Sequence, residues 1–90
     1  MNEQRIEIIR ARLSTALNPI ELVITDESHK HVGHAGAKSG RGHFHIQIIS
    51  EQFQGLSLIR RHRLIYEAVG DLMDTEIHAL SIDAAAPSGT

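Results

Sequence analysis

Two stretches of alternating apolar and polar residues, separated by a segment rich in glycine and histidine, constrain the fold of this chain most strongly. In "IELVITD" every second residue from Ile20 to Ile24 is large and apolar, and in "HFHIQIIS" the same holds from Phe44 to Ile48. Because successive side chains of a strand point to opposite faces, such alternation is typical of a half-buried strand. We therefore predict two strands that form an antiparallel hairpin with a long connection.

Apolar residues at helical spacing predict a helix on each side of this hairpin. Asn2 can cap the first helix, its apolar residues repeat from Ile6, and Asn18-Pro19 ends it. The second runs from Leu58 to about Met73, and Gly70 is expected to weaken it without breaking it. Arginines are expected on its polar face.

Shorter signals complete the predicted order of elements. Ser50 and Ser57 have the position of helix N-caps, so "SEQFQG" predicts one helical turn before the long helix, and "IHALSID" predicts a final strand. The order α-β-β-α-α-β contains a strand-helix-strand crossover, which normally joins parallel strands. The predicted class is α+β: a mixed three-stranded sheet with helices packed on one face and the other face open.

Length and composition limit the kind of protein further. At 90 residues we expect a single domain, over residues 1–84, followed by a flexible C-terminal tail at residues 85–90. The N-terminus lacks an uninterrupted apolar stretch, so we expect neither a signal peptide nor a membrane span, and a cytoplasmic location. The formal charge of −2 provides no global attraction to nucleic acid. With no cysteine, the chain cannot supply a thiolate ligand or a disulfide.

Five of the seven histidines lie in "HKHVGHAGAKSGRGHFH". His29, His31 and His34 fall within six residues beside glycines, so two of them could converge on one metal ion, although spacing alone favours a polar loop that is simply rich in histidine. His43 and His45 share a strand face opposite the apolar residues, and a solvated strand face is the favoured interpretation. A phosphate-binding loop is disfavoured, because alanine precedes the Lys-Ser pair and a strand follows it.

The other two histidines lie later in the chain. His62 falls on the apolar stripe of the long helix, so we predict a packed structural residue. His78 heads the final strand, in phase with Leu80 and Ile82 but at the exposed end of the strand. It is either a packed residue or a surface ligand, and spacing leaves both open.

Arg60, Arg61 and Arg63 are predicted to form a basic patch on the long helix, which could contact phosphates or could be a solvated face. No serine, histidine and acid are arranged as a hydrolase would require. These residues do not indicate an enzyme.

The runs "DESHKHVGHAG", "HFHIQIISEQFQGLSLIRRHRLIYEAVGDLM" and "IHALSIDAAAP" together resemble the BolA family over nearly the whole chain. The most specific pieces are "HF" at the second strand, "F-x-G" after it, "RHRLIY" in the long helix and "HAL" at the last strand. The resemblance implies a fold similar to class II KH domains. It also implies a non-enzymatic adaptor that forms a heterodimer with a monothiol glutaredoxin, and that acts in iron–sulfur cluster trafficking or iron regulation.

In that family the two proteins share a glutathione-bound [2Fe–2S] cluster, so the resemblance implies metal ligands in this chain. His78 matches the family histidine that opens the last strand, and the second ligand would be His31 or His34, in the loop between the first two strands. We expect the isolated chain to bind no cofactor tightly, and to be a monomer or a weak homodimer. Histidine can replace cysteine on one iron of such a cluster, and the partner would supply the sulfur.

Two other functions remain open from the sequence. The family is also linked to transcriptional control of cell morphology and stress response, so a nucleic-acid-binding regulator that contacts DNA through Arg60, Arg61 and Arg63 is the alternative. A small metal-storing or metalloenzyme domain that uses the loop histidines alone is a weaker third.

Overall fold

The computed structural model describes residues 2–28 and 42–87. The elements, in chain order, are helix α1 (Asn2–Leu17), strand β1 (Glu21–Asp26), strand β2 (Gly42–Ile49), a 3-10 turn (Glu51–Phe53), helix α2 (Leu58–Val69), helix α3 (Leu72–Thr75) and strand β3 (Ile77–Ala85). The predicted α+β class and the predicted order of strands and helices are confirmed.

The three strands form one mixed sheet in the order β1-β2-β3. Strand β2 lies in the centre, antiparallel to β1 and parallel to β3, as the hairpin and the crossover predict. Asp26 pairs with Phe44 at one end of the hairpin, and Glu21 pairs with Ile49 at the other. Asp26 is therefore the last residue of β1.

The core lies between the sheet and the helices. It contains Phe44, Ile46 and Ile48 of the central strand, which are at most 1% exposed, together with apolar residues of α1, α2 and the 3-10 turn. Each such side chain contributes about 1.5–3 kcal/mol when it is fully buried. The alternation that predicted β2 is thus the alternation between this core and the opposite face of the sheet.

Hydrogen-bonded serines precede the 3-10 turn and α2. Ser50 Oγ accepts a hydrogen bond from Gln52 N and donates one to Leu17 O, and Ser57 Oγ accepts one from Arg60 N. Both predicted N-caps are confirmed, and Ser50 also joins the end of α1 to the 3-10 turn.

The prediction of one long helix through Met73 is wrong, because Gly70 ends α2. Gly70 has φ 47° and ψ −119°, and its N–H donates to Tyr66 O. Residues with a side chain rarely adopt this backbone conformation. The helix ends here, and the short α3 begins at Leu72. Leu58, predicted on the apolar stripe, is 64% exposed in the first turn of α2.

The last strand extends beyond the predicted end of the domain. Ala85 pairs with Ile49 as part of β3, and Ala86 is buried. The ordered sheet therefore continues past residue 84, where a flexible tail was expected to begin. Within the described ranges, 2–28 and 42–87, no helix has the length and apolar character needed to cross a bilayer.

Candidate functional site: a histidine pair where β3 enters the sheet

The first candidate feature is an irregularity in the pairing of the two parallel strands. Gly42 pairs with Ile77, whereas the next residue of β2, His43, pairs with Ala79. His78 is therefore an extra residue that faces no partner on β2. Such irregularities re-aim a side chain, and they are frequent beside functional sites.

The irregularity changes the face to which His78 points. In a regular strand, His78 would share the core side with Leu80 and Ile82, and Ile77 would face outward. Instead Ile77 is fully buried and His78 is exposed. The predicted phase of this histidine is wrong for this reason, but its predicted position at the exposed end of the strand is confirmed.

The extra residue lies against a second histidine. The ring centroids of His43 and His78 are 4.9 Å apart, and the ring planes are inclined by 48°. His43 is only 9% exposed, so the solvated strand face predicted for it is wrong. One imidazole of the pair is enclosed and the other is open to solvent.

Backbone hydrogen bonds fix this corner of the sheet. His43 O accepts from Glu27 N at 2.8 Å, and His43 N donates to Ser28 Oγ at 3.1 Å. Ser28 N in turn donates to Asp26 Oδ1 at 2.8 Å, and Gly42 N donates to Glu76 O at 3.0 Å. The end of β1, the start of β2 and the residue before β3 are thus joined at one place.

Gly42 permits the close approach of these segments. A Cβ atom at this position would lie 2.6 Å from two ring carbons of Phe44 and 3.1 Å from Ser28 Oγ. The 2.6 Å contacts leave no room for a methyl group unless the ring moves, and the 3.1 Å contact is tight. The glycine is required by packing, since the ring of Phe44 occupies the space that a side chain would need.

A shallow cleft lies beside the pair. It is lined by Glu27, His43, Phe44, Ala79, Leu80 and Ser81. The exposed imidazole of His78, which packs against His43, can donate a nitrogen lone pair to a metal. The arrangement therefore suits a ligand that approaches from outside the chain.

The other predicted metal ligands cannot be located in the structure. His31 and His34, as well as His29, lie outside the described residues, whose nearest members are Ser28 and Gly42. Both of these border the corner that holds the histidine pair. Among the residues that the structure describes, no group of three or more histidine or acidic side chains is placed to hold a metal ion.

Sequence reasoning missed His43 as a member of the site. The alternation correctly placed it opposite Phe44, but it could not show that β3 would cover it. The only sequence signal was its place in the "HF" pair. His45, two residues further along, is half-buried, and His62 on α2 is half-buried too, so neither belongs to the fully buried core. A structural role for His62 stays a prediction.

The predicted basic patch is wrong at one of its three arginines. Arg60 and Arg63 are exposed, but Arg61 is 7% exposed, and its guanidinium donates to Leu56 O and Ala84 O, both at 3.0 Å. Carbonyl oxygens satisfy this buried cation in the place of water. Arg61 therefore joins α2 to the end of β3.

The comparisons with known proteins agree with this architecture. The BolA-like protein family model matches residues 13–89. A chloroplastic Arabidopsis thaliana protein named BOLA1 is 44% identical over 89 residues, which are 96% of this chain but 56% of the relative. The chain thus spans little more than half of that relative. The DNA-binding transcriptional regulator BolA of Escherichia coli K12 is 36% identical and is matched over 84% of this chain and 70% of its own length.

A solved structure shows the same fold. The BolA domain of SufE1 from Arabidopsis thaliana superposes with a TM-score of 0.83 at 41% identity, covering 96% of this chain and 95% of that one. The sheet that carries the histidine pair, together with its flanking helices, therefore forms a known type of domain. The family model extends over most of the sequence. This chain belongs to the BolA family.

Proposed function

We propose that this chain is a non-enzymatic adaptor that pairs with a monothiol glutaredoxin and contributes the imidazole of His78 to a shared, glutathione-bound [2Fe–2S] cluster. The single observation that carries the proposal is the exposure of His78 at a register irregularity of β3. A ligand to a cluster held mostly by another protein must be reachable from outside. If the side chain of His78 were buried in the core, it could not contact such a cluster.

The donor chemistry of the chain fits such a cluster. The chain has no cysteine, so it offers imidazole nitrogen, while glutaredoxin and glutathione would supply sulfur. Histidine ligation of one iron raises the reduction potential of a [2Fe–2S] centre above that of an all-cysteine cluster. When bound, the cluster would supply one-electron redox chemistry or be passed to a client protein.

The second ligand in this proposal is His31 or His34. The described residues on either side of that segment, Ser28 and Gly42, lie at the same corner as His43 and Ile77. This supports a ligand from the segment, because its two ends are anchored near His78. Single His31→Ala and His34→Ala variants would assign the residue, since only the ligand should alter the cluster spectrum.

The test is reconstitution of the purified pair with iron, sulfide and glutathione under anaerobic conditions. His78→Ala should change the visible absorption and circular dichroism spectra of the complex, because one iron loses its nitrogen ligand. His45→Ala is the matched control, since this histidine lies on β2 opposite Ser81, further into the sheet. Identical spectra for His78→Ala and the unmodified chain would refute the proposal.

A nucleic-acid-binding regulator is the second candidate, favoured by the name of the Escherichia coli relative and by the exposure of Arg60 and Arg63. The affinity for DNA falls as salt rises, and each phosphate that a cation neutralises makes the plot of log affinity against log salt steeper by about 0.9. An Arg60→Gln, Arg63→Gln double variant should therefore reduce the magnitude of this slope by about 2. Duplex DNA binding without a steep salt dependence would leave this candidate without a driving force.

A further inference from the structure

We propose that His43 is a positioning residue that holds the imidazole of His78 in one orientation by direct ring contact. The proposal rests on the proposed function, in which His78 is the ligand, and assigns a role to a residue that the sequence interpretation placed on a solvated face. It makes a structural claim about the free chain and a functional claim about the shared cluster. The two can be measured separately.

The contact itself is the first argument. A centroid separation of 4.9 Å with a 48° tilt lies in the range of packed ring pairs. An exposed histidine on a strand otherwise samples several rotamers, and fixing it on ligation costs conformational entropy. A ring that is already packed against a neighbour has part of this freedom removed before the partner arrives.

The second argument is that His43 is itself held firmly. It is 9% exposed, it lies on the central strand of the sheet, and its backbone is bonded on both sides, to Glu27 N and to Ser28 Oγ. The side chain that does the positioning must move less than the one that is positioned. Supporting residues on rigid elements hold ligands more precisely than residues on loops do.

The register irregularity supplies the third argument. Without the extra residue at His78, a regular strand would direct this side chain to the core side and Ala79 alone would face His43. The irregularity brings both rings to the same side of the sheet while Ile77 stays fully buried. The contact is therefore built into the strand pairing.

Burial distinguishes positioning from ligation. His43 Nε2 is a buried atom, whereas the side chain of His78 is exposed. A cluster presented by a docked protein would reach the exposed imidazole of His78, whereas the buried Nε2 atom of His43 is not available to it. His43 would then act through His78, in the way that outer partners orient metal-bound histidines.

The structural claim is tested in the isolated chain by NMR with labelled histidine. The unmodified protein should show nuclear Overhauser effects between the ring protons of His43 and His78, together with restricted motion of the His78 ring. His43→Ala should increase the motion of the His78 ring, and His43→Phe, which keeps a ring but has no nitrogen, should preserve the restriction. Absence of the ring-to-ring effects in the unmodified protein would overturn the proposal, and this measurement needs no variant to fold.

The functional claim is tested in the reconstituted complex with glutaredoxin. His43→Ala should accelerate cluster loss by about tenfold, the lower end of what removal of a supporting partner costs at metal sites. It should also broaden the electron paramagnetic resonance signal of the reduced cluster, since the imidazole then adopts several orientations. His43→Phe should restore a narrow signal and slow loss.

The outcomes separate this inference from the proposed function. If His78→Ala alters the cluster and His43→Ala does not, positioning is refuted and the proposed function stands. If His43→Phe behaves like His78→Ala, a nitrogen of His43 is needed and the ring-contact role is wrong. If His78→Ala itself changes nothing, the proposed function fails, while the NMR measurement still decides whether the rings pack.

Discussion

The guanidinium of Arg61 donates a 3.0 Å hydrogen bond through Nη1 to the carbonyl oxygen of Ala84, near the end of the last strand. Its Nε atom donates to Leu56 O at the same distance, so one buried cation joins the segment before α2 to β3. The arrangement fastens the C-terminal part of the sheet to the helical layer.

Replacing Arg61 by methionine should therefore destabilise the protein. The variant keeps much of the apolar volume but leaves two carbonyl oxygens without their donor, and hydrogen bonds to charged groups contribute about 1.5–3 kcal/mol. Urea unfolding should show a loss of that size in the free energy of unfolding. Arg63→Met is the control, because its side chain is exposed and should change stability by less than about 0.5 kcal/mol. Equal effects of the two substitutions would contradict the assigned role of Arg61.

Gly42→Ala should disturb the corner that holds the histidine pair. The new methyl group would overlap the ring of Phe44, and overpacking of this kind costs about 1–3 kcal/mol. The same substitution in a Phe44→Leu background should cost less, since the two ring carbons at 2.6 Å are then absent. A double-mutant cycle by chemical denaturation measures this coupling. Additive effects would show that the ring is not the obstacle.

A surface ion pair between α1 and Asp71, the residue directly before α3, should make a small contribution to the pH dependence of stability. The guanidinium of Arg12 donates to Asp71 Oδ1 at 3.0 Å and to Val69 O at 3.2 Å, and its hydrogen bond and charge lower the pKa of the Asp71 carboxyl below 3.8. Because the folded-state pKa is the lower one, the pair stabilises the protein above the unfolded-state pKa. This contribution is lost as the pH falls through the folded-state pKa.

The measurement is an NMR titration of the Asp71 carboxyl carbon. The pKa of Asp71 should lie below the ordinary value of an aspartate in the unmodified protein and rise toward that value in Arg12→Gln. High salt should shift it in the same direction, because the pair is exposed and screened. A midpoint that is the same with and without Arg12 would exclude this cause.

The sequence was sufficient to predict the sheet, because its signals were local. The period-two alternation from Phe44 to Ile48 identified the central strand, and the serines at 50 and 57 marked the helix starts. The parallel third strand followed from the handedness rule for crossovers. Each of these depends on residues that are close together in the chain.

The features that could not be predicted depend on contacts between distant segments. Arg61 has the sequence context of a surface arginine, and only the position of Ala84 shows that its head is enclosed. His43 has the phase of a solvated residue, but a register irregularity at His78 covers it. Helix and strand propensities and hydrophobic periodicity contain no information about contacts between residues that are far apart in the chain.

The central claim, that His78 gives its nitrogen to a cluster shared with a glutaredoxin, is tested most directly by pulsed electron paramagnetic resonance of the reduced complex. This chain would carry ¹⁵N only in its histidines, and the partner and glutathione would be unlabelled. The account predicts a ¹⁵N hyperfine coupling typical of an iron-bound imidazole, weakened or lost in His78→Ala and retained in His45→Ala. A cluster without ¹⁵N coupling, or with a coupling that His78→Ala leaves unchanged, would contradict it.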